Sequence, residues 1–519
     1  MPTGIRPPAE GAPYVTVPMV DFRGGLNRTR DTPEVEANEV MDISNWDLDP
    51  GGGLSLRAGT KRAVQNQTAQ TGSIVTGRSI SNMGYYGDSQ GGTKLLMGRG
   101  ESAAGQIWCP TSGTLRTLTG TNAAHFYRLA GYTIILAHPA ATHNAIRIPD
   151  DDILSGTITT MSEAYEDDYE FPTTEGHPPA RYGCTQHYRA WVVDESLVNR
   201  VRFSHPNDPL HWHSDDWIDV GPISSDIVGL YPLGDVVLCV KQDSVWYIQG
   251  DVLSAMRLRR LDEDISAQFS DAYEVRPSVE GMGQVWIWDK SDGLISISPN
   301  LQVTKHADKL MRFGKVPGVA SISYSDSKIY CWSNEFDVTY VYDARGGGWT
   351  IYSYSMSEVT EVTLGTYGSP GETIEVFLDE DNSDGSGHNY VMVFDEDEST
   401  DVRGATPTTT DVTTTVRTPW LVGQGPTEPD KWGRPRFLIE TIDDETDLSG
   451  NIVLRKNLEE TTVSTAAWTL DESEEGRVKN VRGPSGGRGE TVSYTLTLSG
   501  GRAYLHSMVA RFKPKRIRR

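Results

Sequence analysis

Short apolar runs recur along the chain in pairs, and a few polar residues separate the two runs of each pair. Runs of this length that are rich in Val, Ile, Tyr and Trp are typical of strands. Two of the separators, Gln242-Asp243 and Asp292-Gly293, have good turn chemistry for a hairpin. The seven predicted hairpins centre on Leu96 and Trp108, Ile135 and Ile146, Val192 and Phe203, Val237 and Trp246, Ile287 and Ile295, Tyr330 and Tyr342, and Val376 and Val391.

The spacing of these pairs indicates a repeat. The second runs recur roughly every 40–55 residues, which is the length of one four-stranded propeller blade. An apolar hairpin cannot cover both of its faces alone, whereas stacking around an axis buries them. We therefore predict an all-β fold with a β-propeller of about six or seven irregular blades over residues 71–400. A meandering sandwich would also give many hairpins, but with less regular spacing.

The pattern changes after residue 400, where a Thr-rich segment leads into short strand-like runs. In the run "VSYTLTL", Val492, Tyr494, Leu496 and Leu498 alternate with polar residues, as in a half-buried strand. We predict a separate C-terminal β-sandwich over residues 401–510, followed by a basic tail over 511–519.

The basic tail reads "RFKPKRIRR". A short basic segment is either a contact arm for an acidic partner or nucleic acid, or a solvated end of the chain. Its candidate contact residues are Arg511, Lys513, Lys515, Arg516, Arg518 and Arg519.

Residues 1–70 follow neither the helix nor the strand period. Paired glycines at Gly24 and Gly25, and three more at 51–53, allow the backbone to bend closely against a surface. The apolar residues here occur singly, which suits an extended arm that plugs into grooves of the propeller or of a neighbouring subunit. The predicted contact residues of this arm are Phe22, Leu26, Val35, Ile43, Trp46 and Leu54. Deletion of residues 15–60 is then expected to leave the blades folded and to impair assembly.

The charge of the chain is its clearest bulk property. The 519 residues include 71 Asp plus Glu against 47 Lys plus Arg, for a formal net charge of −24. Such a field repels phosphates, so we do not expect an ordinary DNA-binding protein. Four widely separated cysteines are expected to be buried free thiols. No secretory leader and no apolar run of about 18 residues is visible, so no membrane insertion is expected.

One segment is a candidate metal site. In "FSHPNDPLHWHSDDW", the side chains of His205, His211, His213 and Asp215 lie close together in sequence, and His-x-His on a strand places both rings on one face. The alternative is a polar loop in which Pro206 and Pro209 form turns.

Other candidate chemistry is weaker. The segment at 379–387 resembles a calcium loop, but Val391 occupies the position where a bidentate Glu is needed, which favours an acidic hairpin tip. No P-loop, nucleophile elbow or zinc-protease motif is present, so we expect neither an enzyme nor a cofactor. The tryptophans are expected to pack between blades, and the alternative is an exposed platform for sugars. Those in the predicted strands are Trp108, Trp191, Trp246, Trp286, Trp288, Trp332 and Trp349.

Three stretches carry a resemblance to a known family. The first contains "DFRGGLN", an F-x-G-G-L-N start, and "ISNWDLDPGGGLSLRAGT", in which an Asn is followed by the pattern G-x-L-x-x-R-x-G. The second is "RVRFSHPNDPLHWHSDDWIDVG" with the following strands, and the third is "YVYDARGGGWTIYS". Together they resemble the tail nozzle, tail tubular and packaged-DNA-stabilising hub proteins of tailed bacteriophages.

The resemblance implies a structural virion protein that forms a ring, expected to be a homo-hexamer, around the DNA exit channel. Such a ring would help to retain the packaged genome and guide its ejection. The implied partners are other copies of the chain, an adaptor on the portal side or a tube protein, tail fibre or needle proteins, and passing DNA without sequence-specific binding. The protein would be assembled in the host cytoplasm and reside in the virion tail. The alternative is a receptor-binding or glycan-binding tail-tip protein, or a minor tail protein of a long-tailed phage.

Overall fold

The computed structural model describes most of the chain between residues 15 and 513. The described residues are 15–28, 36, 38–62, 80–87, 93–99, 105–109, 114–118, 123–137, 145–150, 156–167, 174–250, 255–261, 264–267, 278–310, 317–333, 335–354, 356–363, 373–379, 390–395, 400–403, 408–422, 430–442, 448–459, 461–470, 478–485, 487–489 and 491–513. Within these ranges the chain folds into strands and turns and forms no α-helix. It therefore also has, in this part, no helix long and apolar enough to span a bilayer. The all-β prediction is confirmed.

The front of the chain forms short strands that join other parts of the molecule, and we call residues 15–62 the strap. Its strands are β1 (Val15–Met19), β2 (Gly25–Leu26), β3 (Glu39–Val40), β4 (Asp42–Ser44), β5 (Trp46–Leu48), β6 (Leu54–Leu56) and β7 (Gly59–Arg62).

Seven antiparallel meanders follow. The first three sheets contain β8 (Ile80–Gly87), β9 (Thr93–Arg99), β10 (Gly105–Cys109) and β11 (Thr114–Leu118); β12 (Ala123–Leu129), β13 (Tyr132–Ala137), β14 (Ile146–Pro149) and β15 (Thr159–Thr160); and β16 (Ala180–Gln186), β17 (Arg189–Asp194), β18 (Arg200–Phe203) and β19 (Trp217–Asp219). The next two contain β20 (Ile227–Leu233), β21 (Val236–Lys241), β22 (Val245–Gln249) and β23 (Arg257–Arg260); and β24 (Ser278–Gly281), β25 (Gln284–Asp289), β26 (Gly293–Ile297) and β27 (Val303–Lys305).

The sixth and seventh meanders belong to larger sheets. The sixth contains β28 (Ser321–Ser325), β29 (Lys328–Ser333), β30 (Val338–Asp343) and β31 (Gly348–Tyr352). The seventh contains β32 (Met356–Thr363), β33 (Thr373–Asp379), β34 (Tyr390–Asp395), β35 (Thr400–Arg403) and β36 (Thr408–Asp411), with strap strand β7 between β34 and β35. All seven predicted hairpins are confirmed, because each is the second and third strand of one meander.

The first strands of neighbouring meanders lie side by side. Strand β12 packs against both β8 and β16, β16 against β20, β24 against β28, and β28 against β32. Strand β32 in turn packs against β8, so the last meander meets the first.

Glycine allows a close approach at two of these seams. A Cβ atom on Gly281 would lie 2.4 Å from the ring of Tyr324, and one on Gly183 would lie 2.8 Å from the ring of Tyr127. Any larger residue would push the neighbouring first strand away.

The remaining strands form two facing sheets. They are β37 (Thr414–Arg417), β38 (Leu421–Val422), β39 (Asp430–Trp432), β40 (Arg436–Thr441), β41 (Leu448–Lys456), β42 (Ser464–Leu470), β43 (Val478–Arg482), β44 (Gly487–Gly489), β45 (Thr491–Ser499) and β46 (Ala503–Lys513). One sheet has the order β43-β40-β46-β39-β44, and the other has β37-β45-β41-β42. The predicted inward residues of β45 are confirmed, since Val492, Tyr494, Leu496 and Leu498 are all fully buried.

The C-terminal sheets are not separate from the meanders, which corrects the sequence prediction. Strap strand β4 pairs with β31 on one side and with β37 on the other, so the sixth meander and one C-terminal sheet form a single ten-stranded sheet. A single apolar core joins the strap, the fifth and sixth meanders and the C-terminal sheets. The boundary predicted at residue 400 falls inside the seventh meander, which continues to Asp411. The sequence did not reveal this arrangement, because the strands that join the parts, β4 and β7, come from the front of the chain.

The cysteines whose side chains are described are buried free thiols, as expected. They are Cys184, Cys239 and Cys331. Burial raises the pKa of all three thiols, that of Cys239 to about 12 despite the opposing attraction of Lys241. At neutral pH they are therefore protonated and unreactive.

Candidate functional site

A group of buried and partly buried polar side chains lies where the strap crosses between the sixth and seventh meanders. Strap residues Asn45, Asp47 and Arg57 bind partners that lie some 300 residues away in sequence, and we call this group the clasp. Asn45 and Arg57 are both 1% exposed. They are also the Asn and the Arg of the G-x-L-x-x-R-x-G stretch that carries the family resemblance.

Asn45 uses every hydrogen-bonding group of its side-chain amide. Its Nδ2 donates to Ser353 Oγ and to the carbonyl oxygen of Thr413, both at 2.7 Å. Its Oδ1 accepts from the backbone N–H of Ser353 at 2.9 Å and from Arg57 Nε at 3.1 Å. The backbone at Asn45 has φ of 60°, a left-handed conformation that Asn tolerates better than most residues. One side chain thus connects the strap, the sixth meander and the segment that leads into the C-terminal sheets.

Arg57 forms a buried ion pair with Asp401 of the seventh meander. Its two terminal nitrogens each bind one oxygen of the carboxylate, and the Nη1 to Oδ1 distance is 2.9 Å. Thr60 Oγ1 also donates to Asp401 at 3.2 Å. Burial alone would lower the pKa of Arg57, but the attraction of Asp401 outweighs it and raises the pKa. The guanidinium also lies over the rings of Tyr352 and Tyr354, with centroid distances of 5.4 and 5.9 Å.

Asp47 anchors the other end of the clasp. Its Oδ1 accepts from Lys328 Nζ at 3.0 Å and from the hydroxyl of Tyr352. Burial would lower the pKa of Lys328, but the interactions with Asp47, Tyr352, Tyr330 and Glu375 together outweigh it and raise the pKa well above its usual value. Beyond Lys328, the hydroxyl of Tyr330 donates to Glu375 at 3.2 Å, and burial raises the pKa of that carboxyl. The clasp is therefore a chain of charged and hydrogen-bonded contacts between segments that are distant in sequence.

The F-x-G-G-L-N part of the strap has its own fixed contacts. A Cβ on Gly25, whose φ is 61°, would lie 2.6 Å from the backbone of Trp349, so only glycine fits against that strand. Asn27 Nδ2 donates to Glu39 at 2.6 Å, and the same carboxylate receives Lys309 Nζ at 3.2 Å. The F-x-G-G-L-N part and the part with Asn45 and Arg57 thus both bind the strap to other segments of the same chain.

The predicted arm residues lie inside the molecule. Five of them are at most 1% exposed and belong to the shared core, namely Phe22, Leu26, Ile43, Trp46 and Leu54. Val35 lies outside the described residues. At these five positions, the apolar side chain and the groove that it fills therefore belong to the same chain. Contact of the strap with a second subunit stays a prediction, and these five buried side chains do not support it.

The histidine-rich segment between β18 and β19 forms a compact loop. His211 Nδ1 binds Asp208 Oδ2 at 2.6 Å, and His211 Nε2 lies 3.7 Å from Glu166 Oε1. Trp212 is buried, donates its indole N–H to the Pro209 carbonyl at 2.9 Å and meets the ring of His177 edge-on.

The candidate metal ligands do not meet in this loop. His213 Nδ1 accepts the backbone N–H of Asp215 at 3.1 Å, and His205 contributes its backbone N–H to the His211 carbonyl at 3.0 Å. Among the described residues, no group of three or more His, Cys, Asp and Glu side chains could hold a metal ion. The structure fits the interpretation of this segment as a polar loop, because its polar side chains bind the backbone and one another.

Some of the other candidate residues lie outside the part of the chain that the structure describes. The acidic tip within 379–387 lies outside the described residues except for its first residue, as do Lys515, Arg516, Arg518 and Arg519 of the basic tail. Arg511 and Lys513 lie in β46. Of the tryptophans, Trp191, Trp286, Trp288 and Trp349 are at most 3% exposed, which confirms the packing role for these four. Trp246 and Trp332 are half-buried, and the side chain of Trp108 is not described.

Sequence reasoning found the motif residues of the clasp but missed their partners. Lys328 stands in an ordinary strand sequence and Ser353 directly follows one, and nothing near these two residues marks a buried charge or a hydrogen bond to the strap. A carboxylate such as Asp401 in a Thr-rich run was the available signal, because a charge at an inward position of a strand needs a partner.

Comparison with known proteins gives distant structural similarity only. No protein-family model matches the sequence, and no curated protein matches it. The structure is similar to the extracellular domain of a putative one-component system from B. thetaiotaomicron, with TM-score 0.44 and 10% identity over 86% of this chain and 63% of that one. The chain thus spans less than two thirds of that protein.

Two further solved structures are similar at the same identity. The computationally designed Ika8 protein has TM-score 0.38 and 10% identity over 71% of this chain and 100% of that one. The AfRom2 CNH domain has TM-score 0.37 and 10% identity over 65% of this chain and 99% of that one. Similarities at this level do not identify a family, so the resemblance to phage tail proteins rests on the sequence motifs.

Proposed function

We propose that the chain is a structural subunit of a bacteriophage tail that forms a ring around the DNA exit channel. The observation that carries this proposal is the clasp. The residues that resemble the opening motif of tail nozzle and hub proteins are the residues that fasten the strap, through Asn45 and Arg57, across the meanders and the C-terminal sheets. A motif that is used to hold three parts of one subunit together supports a scaffold role.

We propose in addition that the seven meanders form one closed seven-bladed propeller. The contact of β32 with β8 supports closure, since it brings the last meander against the first. The pairing of β7 with β34 and β35 supports it too, because a strand from the front of the chain then completes the last blade. Pairing of the strand that precedes the first meander with strands of the last meander would remove the weak point of a ring of blades.

The charge of the chain fits passage of DNA. With a formal net charge of −24, the surface repels phosphates, so a duplex would slide through a lumen of this protein without sticking. Partners in this role are other copies in a ring, expected to be a hexamer, an adaptor or tube ring on one side, and fibre or needle proteins on the other. The subunit acts without catalysis and resides in the virion tail.

A glycan-binding or receptor-binding role at the tail tip is the second candidate function. It was motivated by the aromatic content, and the burial of Trp191, Trp286, Trp288 and Trp349 removes four of the proposed platforms. Half-buried Trp246 is covered on one face by Gly221, whose Cβ would lie 2.9 Å from the indole. The aromatic distribution therefore favours the ring over the tip.

The test is the position of this chain in the particle. Virions labelled with an antibody against the chain would be imaged by electron microscopy, with fibre-specific and head-specific antibodies as references. We expect label at the neck or tail, on the channel axis. Absence of the chain from purified virions, or label at the fibre tips only, would refute the proposal.

A further inference from the structure

The outer face of one C-terminal sheet carries a cluster of basic side chains. Strand β40 alternates between partly exposed and buried residues, so Arg436 at its start points outward. Pairing places Arg482 of β43 on one side of Arg436 and Val509 of β46 on the other. Directly opposite residues share a face of a sheet, so these two side chains are outward as well. We call this surface the basic face, and its charged members are Arg434, Arg436, Arg482, Arg511 and Lys513.

The charges of the basic face are not balanced within the described residues. Arg436 and Arg482 are direct cross-strand neighbours, and like charges in that position repel each other. None of the five basic residues forms an ion pair in the part of the chain that the structure describes. The outward carboxylate of the same strand, Glu440, is bound to His506 at 2.6 Å. The Nε atom of Arg511 is buried and has no hydrogen-bond partner among the described groups. On a chain with a formal net charge of −24, such a cluster marks a surface for an acidic partner.

Apolar residues lie among these charges. Val509 is beside Arg436, Leu438 is the next outward residue of β40, and Pro18 of the strap pairs with Val509. Pro18 is exposed, and the other two are partly exposed. Protein interfaces combine arginines with apolar contacts, whereas the backbone of a nucleic acid offers mainly phosphate and sugar oxygens. The composition of the basic face therefore favours an acidic protein segment over nucleic acid.

The turn between β29 and β30 has the complementary composition. Glu335, Phe336 and Asp337 are all exposed there, Phe336 at 53%, and we call these three residues the Phe336 turn. Nine large apolar side chains are exposed in the described residues, and of these only Phe336 has an acidic residue on both sides. Asp337 has φ of 53°, a left-handed conformation that Asp tolerates, so the carboxylates flank the ring on a tight turn. The Phe336 turn thus presents two negative charges around one aromatic ring.

We propose that the Phe336 turn of one copy of the chain docks on the basic face of a second copy. In this contact, the two carboxylates bind the guanidinium groups of Arg436 and Arg482, which removes the repulsion between them. The ring of Phe336 covers Val509 and lies against a guanidinium plane, as in other contacts of Arg with aromatic rings. Charge and apolar area are therefore matched on both sides.

The contact is heterologous, since each copy gives a Phe336 turn and receives another. Such contacts generate closed rings or open filaments rather than twofold dimers. The biological role of the contact rests on the proposed ring, whereas the contact itself can be measured without it.

Charge reversal tests the contact. The face variant carries Arg436→Glu and Arg482→Glu, and the turn variant carries Glu335→Lys and Asp337→Lys. Like charges would then meet in the contact, so we expect each variant to self-associate more weakly than wild type, by roughly tenfold or more in sedimentation velocity. Thermal unfolding shows whether each variant is folded.

Two control variants make equal changes of net charge elsewhere. One carries Arg259→Glu and Arg260→Glu in β23, and the other carries Asp235→Lys and Asp264→Lys, all at exposed positions. Both controls should associate as wild type does. A loss in the controls equal to that in the face and turn variants would overturn the proposal, because total charge alone would then explain the effect.

Mixing the face variant with the turn variant gives the sharpest result. The unchanged turn of the first then meets the unchanged face of the second, and the two reversed surfaces also have opposite charges. We expect the mixture to recover association close to that of wild type, which damage to folding would not produce. No loss in the separate variants, no recovery in the mixture, or a wild-type chain that stays monomeric would overturn the proposal.

The form of the assemblies separates this contact from the proposed function. Rings that none of these four charges affects would refute the contact and leave the ring in place. Filaments that are lost in both variants and recovered in the mixture would support the contact and count against the ring. Nucleic acid is tested with a short DNA duplex in a mobility-shift assay. DNA binding that the face variant loses, while its self-association is unchanged, would assign the basic face to DNA and overturn the proposal.

Discussion

Arg57 and Asp401 form a two-pronged ion pair that is buried at 1% and 3% exposure, although the two residues are 344 positions apart in sequence. The strap residue that resembles part of a family motif thus meets the last meander at a single carboxylate.

Removal of one partner of this pair should be costly. Arg57→Met leaves Asp401 buried without its main counter-charge, and we expect a loss of about 3–5 kcal/mol in the free energy of unfolding. Arg57→Lys keeps the charge but loses the two-pronged geometry, so it should fall between Met and the native residue. Urea unfolding followed by tryptophan fluorescence measures both.

The control for this prediction is Arg23→Met. Arg23 forms a similar two-pronged contact with Asp21, at 3.0 and 2.7 Å, but its side chain is 53% exposed. Solvent screens that pair, so its loss should change stability little. Equal effects of the two substitutions would mean that burial does not give the clasp its strength.

Asn45 should matter for its hydrogen bonds and not only for its backbone conformation. Asn45→Ala removes four side-chain hydrogen bonds at a buried site and puts Ala at a φ of 60°, so we expect a loss of about 3 kcal/mol or more. Asn207→Ala is the matched control, because Asn207 has a similar φ of 58° but is exposed. The difference between the two variants in chemical denaturation isolates the hydrogen bonds, and no difference would refute their role.

Acid should destabilise the protein through His177. Its Nδ1 donates to the carbonyl of Pro178 at 2.6 Å, so its neutral Nε2 accepts from Tyr127 at 2.9 Å. Burial lowers its pKa to about 4. The unfolded chain takes up this proton near pH 6.5, so the contribution to stability is complete above pH 6.5 and is lost as pH falls to 4, by about 3 kcal/mol.

The measurement for His177 is the unfolding free energy at several pH values between 7 and 4, for the wild type and for His177→Phe. The wild type should lose more stability over this window than the variant, because the variant cannot take up that proton. Burial also lowers the pKa of His306 to about 4, so its variants should reduce the acid dependence in the same direction. Parallel pH profiles for wild type and His177→Phe would contradict the prediction.

Gly281 should be needed at the seam between the fifth and sixth meanders. Gly281→Ala introduces a Cβ at 2.4 Å from the ring of Tyr324, and overpacking of this kind costs about 1–3 kcal/mol. In a Tyr324→Ala background the same substitution should cost much less, because the clashing ring is gone. Thermal unfolding of the four proteins gives this coupling, and an equal cost in both backgrounds would show that the close approach is not the reason for the glycine.

Deletion of the strap should prevent folding rather than assembly alone. The sequence predicted that the blades would fold without residues 15–60. In the structure this segment supplies β4 between two sheets and half of β7 inside the seventh meander, as well as nine buried side chains of the shared core. We now expect the truncated chain to be aggregated or to lack a cooperative unfolding transition in calorimetry. A soluble truncated chain with a sharp transition would restore the original expectation.

The parts of the fold that could be predicted are those that local sequence encodes. Each hairpin, such as that of Val237 and Trp246, brings its own apolar runs and turn residues, so strand pairing follows from adjacent sequence. The alternation from Val492 to Leu498 is local in the same way. The joining of the strap to β31, β37 and β34 depends on pairings across about 300 residues, and no local pattern specifies which edge a three-residue strand such as β4 will join.

The same reasoning explains the outcome for the candidate site. The opening motif was recognisable because Asn45, Leu54 and Arg57 stand close together in sequence. The proposed use of the apolar residues as plugs was correct in kind, since Phe22 and Trp46 are buried, but they are buried within their own chain. The pattern could show that these side chains need a groove, whereas only the three-dimensional arrangement shows which molecule provides it.

The most direct test of the central claim, that this chain is a ring-forming tail subunit, is the symmetry of its assembly. The purified full-length protein, at a concentration that permits assembly, would be imaged by cryo-electron microscopy without imposed symmetry. The account predicts closed rings with an open axis, expected to be six-fold, in which the meanders and C-terminal sheets of each subunit form one rigid unit. A chain that stays monomeric, or that forms three-fold spikes without a channel, would contradict it.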